Sequence, residues 1–168
     1  LQKNYKFYSN TDTEVILNAF KEWKIKCFEK FNGDWVIVIL DKKNNELIIA
    51  RDQIGCKPCY IYEDKHKIAF SSEIKGFMGI NENLNFDENN LGINETTLYS
   101  FSKTIFKHVS QLPLGRFLTI NLDTYEKIFS KWSFPLEKLP KIHPNYEVNQ
   151  AEYYELLYEA TKLRLNAD

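Results

Sequence analysis

Two unbroken apolar runs set the pattern of this chain. Trp35-Val36-Ile37-Val38-Ile39-Leu40 is followed, across the polar turn Lys42-Lys43-Asn44-Asn45, by Leu47-Ile48-Ile49-Ala50. A strand with one wet face alternates apolar and polar positions, whereas a continuous run asks for cover on both sides. Both strands are therefore expected to be shielded above and below, in a layered protein with a second sheet on one face and helices on the other. The second run ends in Arg51-Asp52, and Gly55 and Pro58 then turn the chain. Charges set against so apolar a strand need partners, because an unpaired buried charge is costly.

Helical spacing appears before the hairpin. Val15, Ile16, Ala19, Phe20, Trp23 and Cys27 recur as a stripe and predict a helix from Thr11 to about Lys30. Thr11 with Glu14 three residues on reads as a capping box, and Asp12 falls in the first turn, where a negative charge suits the helix dipole. Asn32-Gly33 punctuates the end. After the buried strands, residues 59–62 and 67–71 predict a second hairpin, more alternating and so nearer a sheet edge. Ser72 is placed to cap a short helix through Ile74, Phe77 and Met78, and Asp87 to start another through Leu91. Residues 100–115 read as irregular. A last hairpin pairs 116–122 with 127–132.

From Pro135 the texture changes. Pro135, Pro140 and Pro144 among lysines make a poor core and a good linker. Residues from Asn149 to about Leu165 turn helical again, with Tyr153, Leu156, Leu157, Ala160 and Leu163 on one face and nothing of their own to pack on.

Composition narrows the classes. A chain of 168 residues suits one domain with a real core, and its 15% aromatic content favours a β-rich one. A net charge of −1 with dispersed basic residues gives no electrostatic case for nucleic acid or an anionic membrane. The longest apolar run is far too short to span a bilayer, and residues 1–5 carry no secretory pattern. Three cysteines, an odd number, suit a reduced cytoplasmic protein better than a disulfide scaffold.

Candidate chemistry is sparse. Cys56-Lys57-Pro58-Cys59 is a C-x-x-C, but it sits in a Gly-Pro turn entering a strand rather than opening a helix, so packing is its expected role. No paired spacing supplies two further zinc ligands, and no metal site is expected. His66, His108 and His143 stand alone, and no Gly-rich phosphate loop occurs. On residues alone, Asp12 is explained as a dipole partner, and Arg51 as a tie between loops.

The string Phe31-Asn32-Gly33-Asp34 through Arg51-Asp52-x-x-Gly55-x-x-Pro58-x-Tyr60 resembles the glutaminase domain of asparagine synthetases. Thr11-Asp12-Thr13-Glu14-Val15-Ile16-Leu17 is similar to the family's Ser/Thr-Asp-x-Glu-Val-Ile-Leu segment, and Ser71-Ser72-Glu73-Ile74-Lys75 to another. The similarity runs from about Phe7 to Trp132 and resumes from Thr161 to Asp168; Leu114 departs, standing where the family usually has proline. The resemblance implies an α+β fold, the four-layer αββα sandwich of N-terminal-nucleophile hydrolases, incomplete and with mostly antiparallel sheets. It implies that residues 1–134 are the C-terminal portion of a glutaminase domain, 135–148 a linker, and 149–168 the first helix of an ATP-dependent synthetase domain otherwise absent.

In that family glutamine hydrolysis supplies ammonia to amidate ATP-activated aspartate. ATP and Mg2+ would belong to the absent synthetase domain, and the partners implied are glutamine and that domain, with a homodimer left open. Asp12 would hold the α-ammonium of glutamine, an anionic acceptor for a cation. Arg51, Asp52, Glu73 and Lys75 would be structural or domain-interface residues. The family's nucleophile is an amino-terminal cysteine, and residue one here is Leu1. No catalytic residue is therefore expected in this chain, which is expected to be inactive alone and, with unpaired sheet edges, prone to aggregate. Two alternatives stay open. One is the scaffold of a relative with a degenerate glutaminase site, of β-lactam or macrolactam synthetase type. The other is a non-catalytic interaction domain.

Overall fold

The computed structural model describes residues 4–80, 84–92, 94, 102–132 and 143–165. The chain divides into two compact units, Leu1–Ser133 and Phe134–Asp168. In the first, helix α1 (Asp12–Trp23) precedes strands β1 (Val36–Asp41) and β2 (Glu46–Arg51). Strands β3 (Tyr60–Glu63), β4 (Ile68–Ser71) and β5 (Val109–Gln111) follow, then β6 (Arg116–Asn121) and β7 (Lys127–Lys131). The second unit holds helix α2 (Tyr146–Arg164).

The strands form two antiparallel sheets, ordered β1-β2-β6-β7 and β4-β3-β5. The class is α+β. Period-two alternation sends neighbouring side chains of β2 and β6 to opposite cores. Ile48, Ala50 and Phe117 join Ile37 and Ile39 against Ala19, Phe20, Cys27 and Phe28 of the helical layer. Ile49, Leu118 and Ile120 face Ile61 of the second sheet and Cys59 and Leu112, which flank its strands. On that sheet's outer side, Tyr62 and Val109 pack on Phe77.

The first hairpin forms as expected, in register from Val36–Arg51 to Asp41–Glu46. Its cover does not. β2 is shielded on both faces, but Val38 and Leu40 of β1 are 53% and 51% exposed. Their register partners Ile49 and Leu47 belong to the core shared with the second sheet, so both residues point to that side. β1 lies at one edge of its sheet, and although Val36 packs into the core shared with the second sheet, Val38 and Leu40 further along are left uncovered. The continuous run therefore hides an ordinary half-wet strand.

The helical layer also departs from its stripe. α1 stops at Trp23, where Lys24 takes φ 50°, and a 3-10 helix carries on from Lys24 to Lys30. The break lets Cys27 and Phe28 enter the core, while Val15 stays 39% exposed. Thr11 makes no side-chain cap; the expected box is replaced by bonds from Glu14 further back.

The second hairpin is present, with Tyr60 opposite Ser71, but β3 sits at the centre of its sheet because β5 pairs on its other side. β5 lies inside the stretch read as irregular and is too short to show a period. The turn after β4 is a 3-10 helix, Ile74–Gly79, in which Met78 is exposed and Ser71, not Ser72, accepts a backbone N–H. Asp87 starts a turn rather than a helix, its carboxylate accepting from the N–H of Asn89. The last hairpin pairs Arg116 with Lys131 through Ile120 with Lys127. Pro135 and Pro140 lie outside the described residues. α2 begins three residues before the expected Asn149, capped by Asn145, and within its unit none of its residues is buried.

Candidate functional site

The first candidate, Asp12, opens α1. It is exposed, and its side chain makes no hydrogen bond or ion pair among the described residues. The polar bonds at this end belong to Glu14. Its carboxylate accepts the N–H of Tyr8 at 2.9 Å, the N–H of Ser9 at 2.7 Å and the hydroxyl of Ser9 at 2.6 Å. Those bonds hold its pKa below the usual carboxylate range, the Ser9 hydroxyl contributing most. In the sequence Glu14 is legible only as a capping residue.

The second candidate pair is buried. Arg51 is 2% exposed at the end of β2, and its guanidinium donates to three backbone carbonyls: Lys57 at 2.8 Å, Leu112 at 2.7 Å and Gly55 at 2.7 Å. The planar fork of a guanidinium spreads its donors over acceptors set apart from one another, which the single nitrogen of an ammonium does not match. Asp52, fully buried, answers with the opposite chemistry. Its carboxylate accepts the N–H groups of Trp35, Ile54, Cys56 and Lys57 at 3.0–3.3 Å. The loop 52–58 is thus clasped from within, and the loop at 112–115 is tied to it through Arg51 and the bond from Gly115 N–H to the Asp52 carbonyl. Gly55 makes this closure possible. It takes φ +69°, and a Cβ there would lie 3.0 Å from the guanidinium.

Trp132 completes the clasp, its indole N–H donating to the Arg51 carbonyl at 3.0 Å while its ring stacks on Trp35 at 5.1 Å. Leu112 and Trp132, as partners of Arg51, were beyond sequence reasoning. The only hint was their place beside Gly115 and at the end of the last hairpin.

Glu73 and Lys75 lie on the surface and pair with each other at 2.5 Å, which raises the lysine pKa. No disulfide joins the cysteines. Burial pushes the Cys27 and Cys59 thiols up to about 11, so both are protonated and poorly nucleophilic at neutral pH. Among the described residues no group of three or more His, Cys, Asp or Glu could hold a metal ion.

Two open cavities of about 600 Å³ flank the β3–β4 turn, one beside Asp87, Asn90 and His108, the other beside His66, Tyr125 and Lys127. Asp12, Arg51, Asp52, Glu73 and Lys75 line neither. The structure therefore separates an exposed carboxylate on α1 from a buried clasp that shapes two loops.

Residues 1–132 match the family described as "Glutamine amidotransferase domain". The chain belongs to this family. Among relatives of this amidotransferase domain is a putative asparagine synthetase (glutamine-hydrolyzing) 2 of Methanocaldococcus jannaschii, 32% identical over 98% of this chain and 32% of that protein. Asparagine synthetase (glutamine-hydrolyzing) 3 of Bacillus subtilis is 29% identical over 81% of the chain and 22% of its own length. Amidase chry2 of Gibberella zeae is 25% identical over the whole chain and 25% of its length. The chain thus spans a third or less of these relatives. No helix among the described residues is long and apolar enough to cross a membrane.

Proposed function

We propose that this domain is most of the glutaminase module of an asparagine synthetase-like enzyme, whose hydrolysis of glutamine supplies ammonia to amidate ATP-activated aspartate. The observation that carries the reading is the family match over residues 1–132, together with the similarity of nearly the whole chain to a glutamine-hydrolysing asparagine synthetase. In this reading the two sheets and the helical layer are three layers of an αββα sandwich. The stretch after residue 134 leads to a synthetase domain that begins with α2, Tyr146–Arg164.

The chemistry is acyl transfer. A cysteine thiolate attacks the amide carbon of glutamine, ammonia leaves as the thioester forms, and water cleaves the thioester to glutamate. Buried, protonated Cys27 and Cys59 are unsuited to that attack. Asp12 supplies the counter-charge for the α-ammonium of glutamine, a role supported by a carboxylate that stands exposed with no other partner among the described residues. Arg51 and Asp52 keep the loops at the end of β2 in one shape. ATP and Mg2+ are assigned to the synthetase domain, where they would activate the acceptor carboxylate.

The test uses the whole protein that contains this chain. Glutamine labelled with 15N in its side-chain amide, supplied with aspartate and ATP, should give asparagine labelled in its side-chain amide. Absence of glutamate release would instead favour a scaffold with a degenerate site. Glutamate release with label passed to a different acid would favour a second reading, amidation of another acceptor, which the similarity to Amidase chry2 supports. For the proposed contact, Asp12→Asn should raise the glutamine KM, and an unchanged KM would remove Asp12 from the site.

A further inference from the structure

Glu14 holds more of the chain than a helix cap requires. Side chains two apart on a helix do not face each other, so Glu14 cannot act on Asp12 by contact. It reaches backwards instead. Besides the backbone N–H groups of Tyr8 and Ser9, it takes the hydroxyl proton of Ser9 at 2.6 Å. With that proton committed, the Ser9 oxygen is left to accept, and it lies 2.9 Å from the Thr11 hydroxyl and 3.4 Å from the Thr11 N–H. Thr11 has no side-chain cap bond of its own to the helix. The device that normally fixes a first turn is therefore absent, and a relay from Glu14 through Ser9 to Thr11 stands in its place.

We infer that Glu14 is a positioning residue for the substrate ammonium: through Ser9 and Thr11 it fixes the backbone that aims Asp12. This rests on the proposed role of Asp12. A carboxylate on a loose first turn would sample several directions and would meet a cation less often. One accepting several bonds from the preceding segment removes that freedom before substrate arrives. Glutamine in place of glutamate would keep an acceptor for Ser9 but would leave the N–H of Tyr8 one acceptor oxygen instead of two, so the preceding segment would be held less firmly.

The experiment is a double-mutant cycle on the whole protein, using Asp12→Asn, Glu14→Ala, Glu14→Gln and the double variant D12N/E14A. Glutamine KM and kcat are measured, and also the hydrolysis of 5-amino-5-oxopentanoate, which lacks the ammonium. Glu14→Ala should raise the glutamine KM about tenfold, equal to about 1.4 kcal/mol, with kcat within about twofold, because ammonium binding is shared by ground and transition states. Glu14→Gln should fall between, and it carries the comparison if the alanine variant fails to fold. The double variant should match Asp12→Asn alone, and 5-amino-5-oxopentanoate should be hydrolysed equally by all. A KM effect of Asp12→Asn with none from Glu14→Ala or Glu14→Gln would overturn the inference alone. So would fully additive effects, or an equal loss on 5-amino-5-oxopentanoate, which mark a merely structural role. No effect of Asp12→Asn would overturn the Asp12 reading and this inference with it.

Discussion

Replacing Arg51 with methionine tests whether the buried clasp holds the end of the sandwich together. Methionine fills much of the same volume, so the loss is mainly one of hydrogen bonds rather than of packing. Three carbonyls, those of Lys57, Leu112 and Gly55, would each lose a donor at 2.7–2.8 Å inside a site where Arg51 is 2% exposed. The Leu112 bond is buried and those to Lys57 and Gly55 are part-buried; at about 1–2 kcal/mol for each bond lost from a charged donor, the three together cost about 3–6 kcal/mol. That is a large share of the roughly 5–15 kcal/mol that stabilises a domain. With a urea dependence of about 2 kcal/mol per molar, the unfolding midpoint should fall by about 1.5–3 M. Tryptophan fluorescence is the natural probe, because the Trp132 indole donates to the Arg51 carbonyl and stacks on Trp35. Arg51→Lys should fall between wild type and Arg51→Met, since an ammonium cannot span three acceptors that a fork reaches. A midpoint for Arg51→Met within about 0.5 M of wild type, worth about 1 kcal/mol, would refute the reasoning.

Three further expectations follow from the same structure. Gly55→Ala should destabilise by about 1–3 kcal/mol in thermal unfolding, because Gly55 has φ +69° and the new Cβ would press on the guanidinium at 3.0 Å; an unchanged Tm would count against the tight turn. Burial pushes the Asp41 carboxyl up, but hydrogen bonds from the Asn44 and Lys43 N–H groups and the charge of Lys24 outweigh it and hold its pKa below the usual range. The stability it contributes is therefore present above the ordinary carboxylate pKa of about 3.9 and is lost as pH falls through the lower folded value. Asp41→Asn should lower Tm at pH 7 and flatten the fall of Tm below about pH 4, and identical slopes in melts from pH 7 to pH 2 would contradict this. At pH 7 a maleimide should label the native chain once, at exposed Cys56, and reach Cys27 and Cys59 only after unfolding; mass spectrometry showing a second label on the native chain would overturn their assigned burial.

Element type was legible wherever a period was long or a turn was marked. α1 announced itself through Ile16, Ala19 and Phe20, and three hairpins through apolar runs on either side of polar turns. What failed was local. Trp23 and Cys27 share a stripe, but only the core decides that Lys24 must break the helix so that Cys27 and Phe28 can turn inward. Val38 and Ile39 are equally apolar, and nothing along the chain says that one is half exposed and the other buried. β5 is three residues long, and it forms because β3 offers it an edge. At the site, the string around Asp12 was readable, whereas the relay from Glu14 was not, since its bonds reach two and three residues further back than the N-cap a capping box would engage.

By itself the sequence determined the alternation of elements, the need for layers on either side of β2, and the family resemblance carried by Thr11–Leu17 and Arg51–Tyr60. Those depend on residue type and short-range spacing, which the chain displays directly. The tertiary structure alone decided which neighbours each charge found. Arg51 meets the carbonyl of Leu112, 61 residues away, and the indole of Trp132, 81 residues away. A buried charge survives only where such distant partners converge, and convergence is a property of the packed fold rather than of any segment within it.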